Sequence, residues 1–195
     1  MAARSALHEG ANPEAKPSVK LGDRPSESFQ RVLGACSLVI QLLIFCGGYY
    51  LWPSLVPVPK ARDFDTKAVY TLRCLLPPLL ALAFAIVKVA MMRFLGYAKN
   101  PMGKDELIQK DKNFLQNTLE QLALFLLTVG AVMTYLEGEE MRLIPLHSFT
   151  FFIGRILYRL GYPDYRIVGF FMTVFPSAVL GGLTVYFMFT RGFDS

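Results

Sequence analysis

Two stretches of this chain carry no charge at all: Val32–Pro59, 28 residues between Arg31 and Lys60, and Ile167–Thr190, 24 residues between Arg166 and Arg191. A helix advances about 1.5 Å per residue, so either run can cross a hydrocarbon layer of roughly 30 Å. Water is absent from that layer and backbone groups must pair within their own segment, which selects helices over strands. The composition agrees: 53% of the residues are apolar, 18% are charged, and the mean hydropathy is +0.38, greasier than an ordinary soluble domain. The expectation is an all-α integral membrane protein.

Residues 1–31 are polar, of mixed charge and rich in Pro and Ser, which reads as a disordered cytosolic tail too long and polar to be a signal peptide. A first transmembrane helix is expected over Val32–Leu55, within a segment 32–59 whose end carries Tyr49, Tyr50 and Trp52 at the membrane interface. A second covers Thr66–Gly96, kinked at Pro77-Pro78; its charge-free centre, Cys74–Val87, is short because Arg73 and Lys88 intrude and must snorkel. A third covers Asp105–Leu136 and a fourth Leu143–Gly161. After a break at Tyr162-Pro163-Asp164, a fifth takes Tyr165–Thr190 with Pro176 inside it.

Five spans put the N-terminus and the 2–3 and 4–5 loops on one side, where 12 Lys and Arg lie against 5 on the other. The positive-inside rule then makes the N-terminus cytosolic and the protein multi-pass. This bias also accounts for the net charge of +5 without nucleic acid, since no basic helix face interleaved with aromatics is present. Cys36, Cys46 and Cys74 all fall in expected spans and read as buried free thiols. His147 reads as a lone interfacial histidine and His8 lies in the tail, so no metal site is expected.

The third span begins with polar residues. Asn113, Gln116, Asn117 and Glu120 are three and four apart, so they form one stripe on a helix. The fourth span answers with Arg155, Tyr158, Arg159 and Tyr162 at i, i+3, i+4 and i+7, and Arg166 follows the break. A charge inside a bilayer is costly and normally faces a partner, so Glu120 is expected to meet Arg155 or a neighbouring arginine. Two readings of the facing stripes stay open: polar contacts that fix helix packing, or a cleft whose guanidinium and phenol groups hold a carboxylate or phosphate.

The segments "NTLEQLALFLL", "GRILYRLGYPDYR" and "FPSAVLGG" resemble the later helices of the MAPEG superfamily, the membrane-associated proteins of eicosanoid and glutathione metabolism. The resemblance covers residues 66–190, which would be the family's four-helix bundle. The extra leading helix resembles the five-helix mattrin branch. The resemblance implies a homotrimer in the lipid bilayer, with glutathione in an intersubunit polar cleft to which Asn117, Glu120, Arg155, Tyr158 and Tyr162 correspond by position. Asn113, Gln116 and Arg159 of the same stripes complete the candidate ligand-binding set, and a phospholipid headgroup is a further candidate occupant. If the chain is an enzyme, the resemblance makes Arg166 the catalytic residue that stabilises the glutathione thiolate, since a neighbouring cation lowers a thiol's pKa.

The chain departs from the enzymes of that family at two positions, having Asn113 and Gln116 where arginines stand. Each lost charge-assisted hydrogen bond is worth about 1.5–3 kcal/mol, and about 1.4 kcal/mol is tenfold in affinity. The resulting expectation is a non-catalytic, mattrin-like member acting in endomembrane trafficking or receptor regulation, in the ER, Golgi, endosomes, lysosomes or plasma membrane. The alternative is a glutathione-dependent transferase, isomerase or peroxidase acting on a lipophilic substrate.

Overall fold

A computed structural model describes residues 26–55, 63–96 and 106–192. Their elements are α1 (Glu27–Leu55), α2 (Phe64–Cys74), α3 (Leu76–Phe94), α4 (Glu106–Met133), a 3-10 turn (Gly138–Arg142), α5 (Leu143–Leu160) and α6 (Arg166–Arg191). Residues 1–25 of the expected tail and 56–59 of the expected first segment lie outside the described residues, and α1 starts at Glu27, inside the stretch read as tail.

The expected single helix over Thr66–Gly96 is two helices. Asp63 caps α2, its carboxylate accepting from the Thr66 backbone N–H at 3.0 Å. At Leu75 the chain turns, and Pro77 and Pro78 fall in the first turn of α3, where a missing N–H costs no hydrogen bond. The membrane-crossing part is therefore Leu76–Phe94, and Arg73 belongs to the amphipathic lead-in. Gly96, at φ +79°, closes the other end by donating to the Arg93 carbonyl at 3.0 Å, in the left-handed region that glycine enters without a Cβ penalty.

α3, α4, α6 and α5 form a closed ring, each packed on the next, and α1 lies outside it against α6 and α5. The core at one end stacks Phe125 of α4 on Phe151 of α5, ring centroids 4.9 Å apart, with Val129, Val132, Ile144 and Leu180 around them. Large apolar side chains cover the outside, with Phe84 59%, Leu127 74% and Phe189 80% exposed. A soluble chain rarely shows so much apolar surface to water; in lipid it is the expected exterior. Cys36 and Cys46 belong to this exterior on α1, and Cys74 is half-buried, so the expectation of three buried thiols is corrected.

Among the described residues, four helices are long and apolar enough to cross a membrane: α1, α3, α4 and α6. α5 is less apolar because it carries His147, Arg155 and Arg159, yet it buries more of its length than its neighbours, from Ile144 to Tyr158. A helix shielded by other helices need not be apolar. His147 is likewise not interfacial: it is 1% exposed, its ring tilted 39° against Phe45 of α1 at 4.4 Å between centroids, with Nδ1 against the Leu143 carbonyl at 2.6 Å.

Two close approaches set the geometry of the bundle. α5 and α6 cross at Gly154 and Gly169; a Cβ on Gly169 would collide with the Tyr158 backbone, and one on Gly154 would stand 2.9 Å from Met172 Cβ. α1 is located by a proline. Pro176 offers no N–H to the Met172 carbonyl four residues back, and the buried Gln41 of α1 donates its Nε2 to that carbonyl at 3.3 Å.

At the end of the bundle holding the 3-10 turn, ions tie the helices together. Arg191, in the last turn of α6, donates to Glu140 at 2.9 Å and to the Tyr135 carbonyl at 2.5 Å. Arg142 pairs with Glu139 and donates to the Tyr49 carbonyl of α1 at 3.2 Å. The hydrogen bond from Arg191 holds the Glu140 carboxyl below the usual carboxylate range. A carboxyl depressed in the folded state adds stability that is present above its unfolded pKa and is lost as pH falls through the folded one. The Tm in detergent should therefore decline as pH drops below the carboxylate range, and Glu140→Gln should flatten part of that decline, as read by thermal melts across a pH series.

Candidate functional site

The site occupies the opposite end, where the first turns of α4 meet the last turns of α5. The helices run antiparallel, so later residues of α4 meet earlier ones of α5. Asn117 Oδ1 accepts from Arg155 Nη2 at 2.9 Å. Six residues back on α4, Asp111 forms an ion pair with Arg159. Beyond them, Asn113 Nδ2 donates to Tyr162 Oη at 3.3 Å. Two contacts thus join α4 to α5, and a third ties α4 to the turn after α5, along one seam.

Aromatic rings form the walls between these polar contacts. The Arg155 guanidinium lies 4.4 Å from the Tyr158 ring centre and 5.5 Å from that of Phe114, which compensates part of its desolvation. Phe114 and Tyr158 stack at 6.0 Å. Lys110 and Arg166 each stand 5.6 Å from the Tyr162 ring centre, so two cations flank one phenol at the rim. Tyr162 precedes a cis proline, Pro163.

Arg155 is 1% exposed and Asp111 5%. Asp111 is the residue that the sequence pattern missed. Its signal was present, because Asp111, Phe114 and Thr118 share a helix face at i, i+3 and i+7 and all three are buried. The stripe of polar residues began at Asn113 and drew attention to the neighbouring face.

That stripe is divided. Asn113 and Asn117 turn toward α5, while Gln116 and Glu120 stay exposed and bond to each other, Nε2 to Oε1, at 2.8 Å. The expectation that Glu120 meets Arg155 or another arginine is corrected: among the described residues Glu120 accepts from Gln116, and the arginines take Asn117 and Asp111 instead. The physical reason is axial. The helices run antiparallel and Asn117 is level with Arg155, so Glu120, three residues or about 4.5 Å further along α4, lies past the arginine, where α5 offers Phe151 and Phe152.

Arg155 keeps spare capacity. Its Nε and Nη1 are buried and have no hydrogen-bond partner within the described residues. Buried guanidinium donors left unpaired are costly, and they match carboxylate or phosphate oxygens. No three His, Cys, Asp or Glu side chains converge as a metal cluster among the described residues.

These features define a polytopic helical membrane protein with a guanidinium–amide–carboxylate seam at one end of its bundle. The model of the MAPEG family matches residues 68–186, and the chain belongs to that family. It is 23% identical over 169 residues to Transmembrane protein 79 of Mus musculus, covering 82% of this chain and 43% of that protein. The Bos taurus Transmembrane protein 79 is 22% identical over 161 residues, covering 80% and 40%. The chain spans about two-fifths of the length of these relatives. No solved structure matches the chain.

Proposed function

We propose that this chain is a non-catalytic, mattrin-like member of the MAPEG family that crosses the membrane five times, α5 spanning it together with α1, α3, α4 and α6, with its N-terminus in the cytosol. It assembles as a homotrimer whose intersubunit cleft is faced by the exposed Gln116 and Glu120. It acts in endomembrane trafficking or receptor regulation, a role carried by its likeness to the mattrin branch. The observation that supports loss of chemistry is the state of the cations. Arg159 is already neutralised by Asp111, Arg155 is partly engaged by Asn117, and amides stand at 113 and 116. Arg155, Lys110 and Arg166 keep their charge, but amides replace the arginines that enzymes of the family carry at positions 113 and 116, which removes part of the clamp for a peptide with two carboxylates.

The alternative, a glutathione-dependent transferase, isomerase or peroxidase, is supported by the spare donors of Arg155 and by the pair of Tyr162 with Arg166. Calorimetry with glutathione on the purified chain, together with a chromogenic conjugation assay, separates the two. The proposed function requires no heat signal at millimolar glutathione and no turnover above background. Micromolar binding that disappears in Glu120→Gln, accompanied by turnover, would overturn it. The trafficking role is read by surface biotinylation of receptors in cells with and without the protein; an unchanged surface population refutes it.

A further inference from the structure

The Arg155 wall is shared with a second space that the cleft does not use. Between α3 and α5 lies a groove of about 370 Å3, bounded by Leu80, Phe84, Phe152 and Ile156 and closed toward one end by Arg155 and Arg159. Its volume falls in the roughly 300–1,000 Å3 range of sites that take small molecules. Its sides are hydrocarbon, and Phe84 and Ile156 are 59% and 45% exposed, so it opens to the acyl phase. Along α3, Leu80, Phe84 and Lys88 follow at four-residue spacing and lead from the groove to the basic end of the bundle.

Charge decides the occupant. Arg159 is matched by Asp111, whereas Arg155 has only amide and aromatic partners and two buried N–H donors without an acceptor. One net positive charge therefore remains beside a hydrocarbon slot. We infer that the α3–α5 groove is a binding site for an anionic phospholipid, one acyl chain lying along Phe84, Phe152 and Ile156 and the singly charged phosphodiester accepting from Arg155. Basic pockets between transmembrane helices recognise acidic lipid heads by this combination. The unpaired donors lie behind the apolar lining, so lipid binding requires the Arg155 side chain to rotate toward the groove. The site lies within one subunit and requires neither the intersubunit cleft nor glutathione.

The full chain in nanodiscs of phosphatidylcholine with a minor share of phosphatidylglycerol provides the test, with retained lipid counted by native mass spectrometry after gentle extraction. The wild type should retain phosphatidylglycerol over phosphatidylcholine by roughly tenfold relative to their bulk ratio, the yield of one charge-assisted contact. Arg155→Met should abolish the preference while leaving phosphatidylcholine retention unchanged. Ile156→Trp fills the groove from its exposed side, leaves the arginine in place, and should reduce retention of both lipids. Equal retention of the two lipids by the wild type overturns the inference, as does a preference that survives both variants. Addition of soluble glycerophosphoglycerol separates the two sources of phosphate: stabilisation by the free head equal to that by the whole lipid would refute the acyl groove. Ile156 belongs neither to the seam nor to the exposed Gln116–Glu120 pair, so lipid retention in Ile156→Trp is read separately from the calorimetry with glutathione.

Discussion

Gly169→Leu should abolish recovery of folded protein, whereas Gly182→Leu, on the same helix, should be recovered at wild-type yield. A Cβ at Gly169 meets main-chain atoms of Tyr158 and Gly154, and one at Gly182 meets nothing within 4 Å. Overpacking against side chains costs about 1–3 kcal/mol because neighbours can rotate away. Backbone cannot, so the cost at Gly169 should exceed about 4 kcal/mol, in the range of severe substitutions. The displaced residue, Tyr158, sits beside Arg155, so the change would also disturb the seam. Size-exclusion profiles and thermal melts in detergent of the two variants, side by side, check the contrast; a monodisperse, wild-type-like Gly169→Leu protein would contradict it.

Arg159→Met should cost about 3 kcal/mol, at the lower end of the roughly 3–5 kcal/mol seen when one partner of a buried pair is removed. It strands Asp111, whose side chain is 7% exposed. The reverse change, Asp111→Asn, should cost less, because the Arg159 side chain is 23% exposed and also lies 5.8 Å from the Phe114 ring centre. Removing both charges in Asp111→Leu/Arg159→Met should recover most of the loss, since a well-packed apolar pair replaces a buried ion pair at little cost. Thermal melts of the wild type, Asp111→Leu, Arg159→Met and the double variant form a double-mutant cycle. A coupling free energy near zero would show that the pair does not hold α4 to α5.

The spans were legible where chemistry switches abruptly. Charges at Arg166 and Arg191 bracket α6 and coincide with its ends, and the Gly161–Tyr165 break was announced by Pro163. α2 and α3 were read as one helix because a proline pair after an amphipathic turn signals either a kink or a new start, and only the turn at Leu75 decides between them. In the site, spacing placed Asn117 and Arg155 on the right faces. It misassigned Glu120, because spacing gives the face of α4 but not which residue of the antiparallel α5 stands level with it. Asp111 was hidden by its lysine neighbours, which make the stretch look like a solvated loop. The crossing at Gly154 and Gly169 was missed for a related reason. Several glycines fall within the helices, and only the fold distinguishes Gly169, where a Cβ would meet backbone, from Gly181, where it would meet only Thr128, at 3.6 Å.

The hydrogen bond from Gln41 to the Met172 carbonyl has a consequence for how the protein is made. Its two ends are 131 residues apart in the chain, so the acceptor is synthesised long after the donor has left the ribosome. Until α6 enters the bilayer, the Gln41 amide must find temporary partners in the translocation machinery or in headgroups. The leading helix thus takes its seat late in assembly, when the carbonyl exposed by Pro176 arrives to receive it.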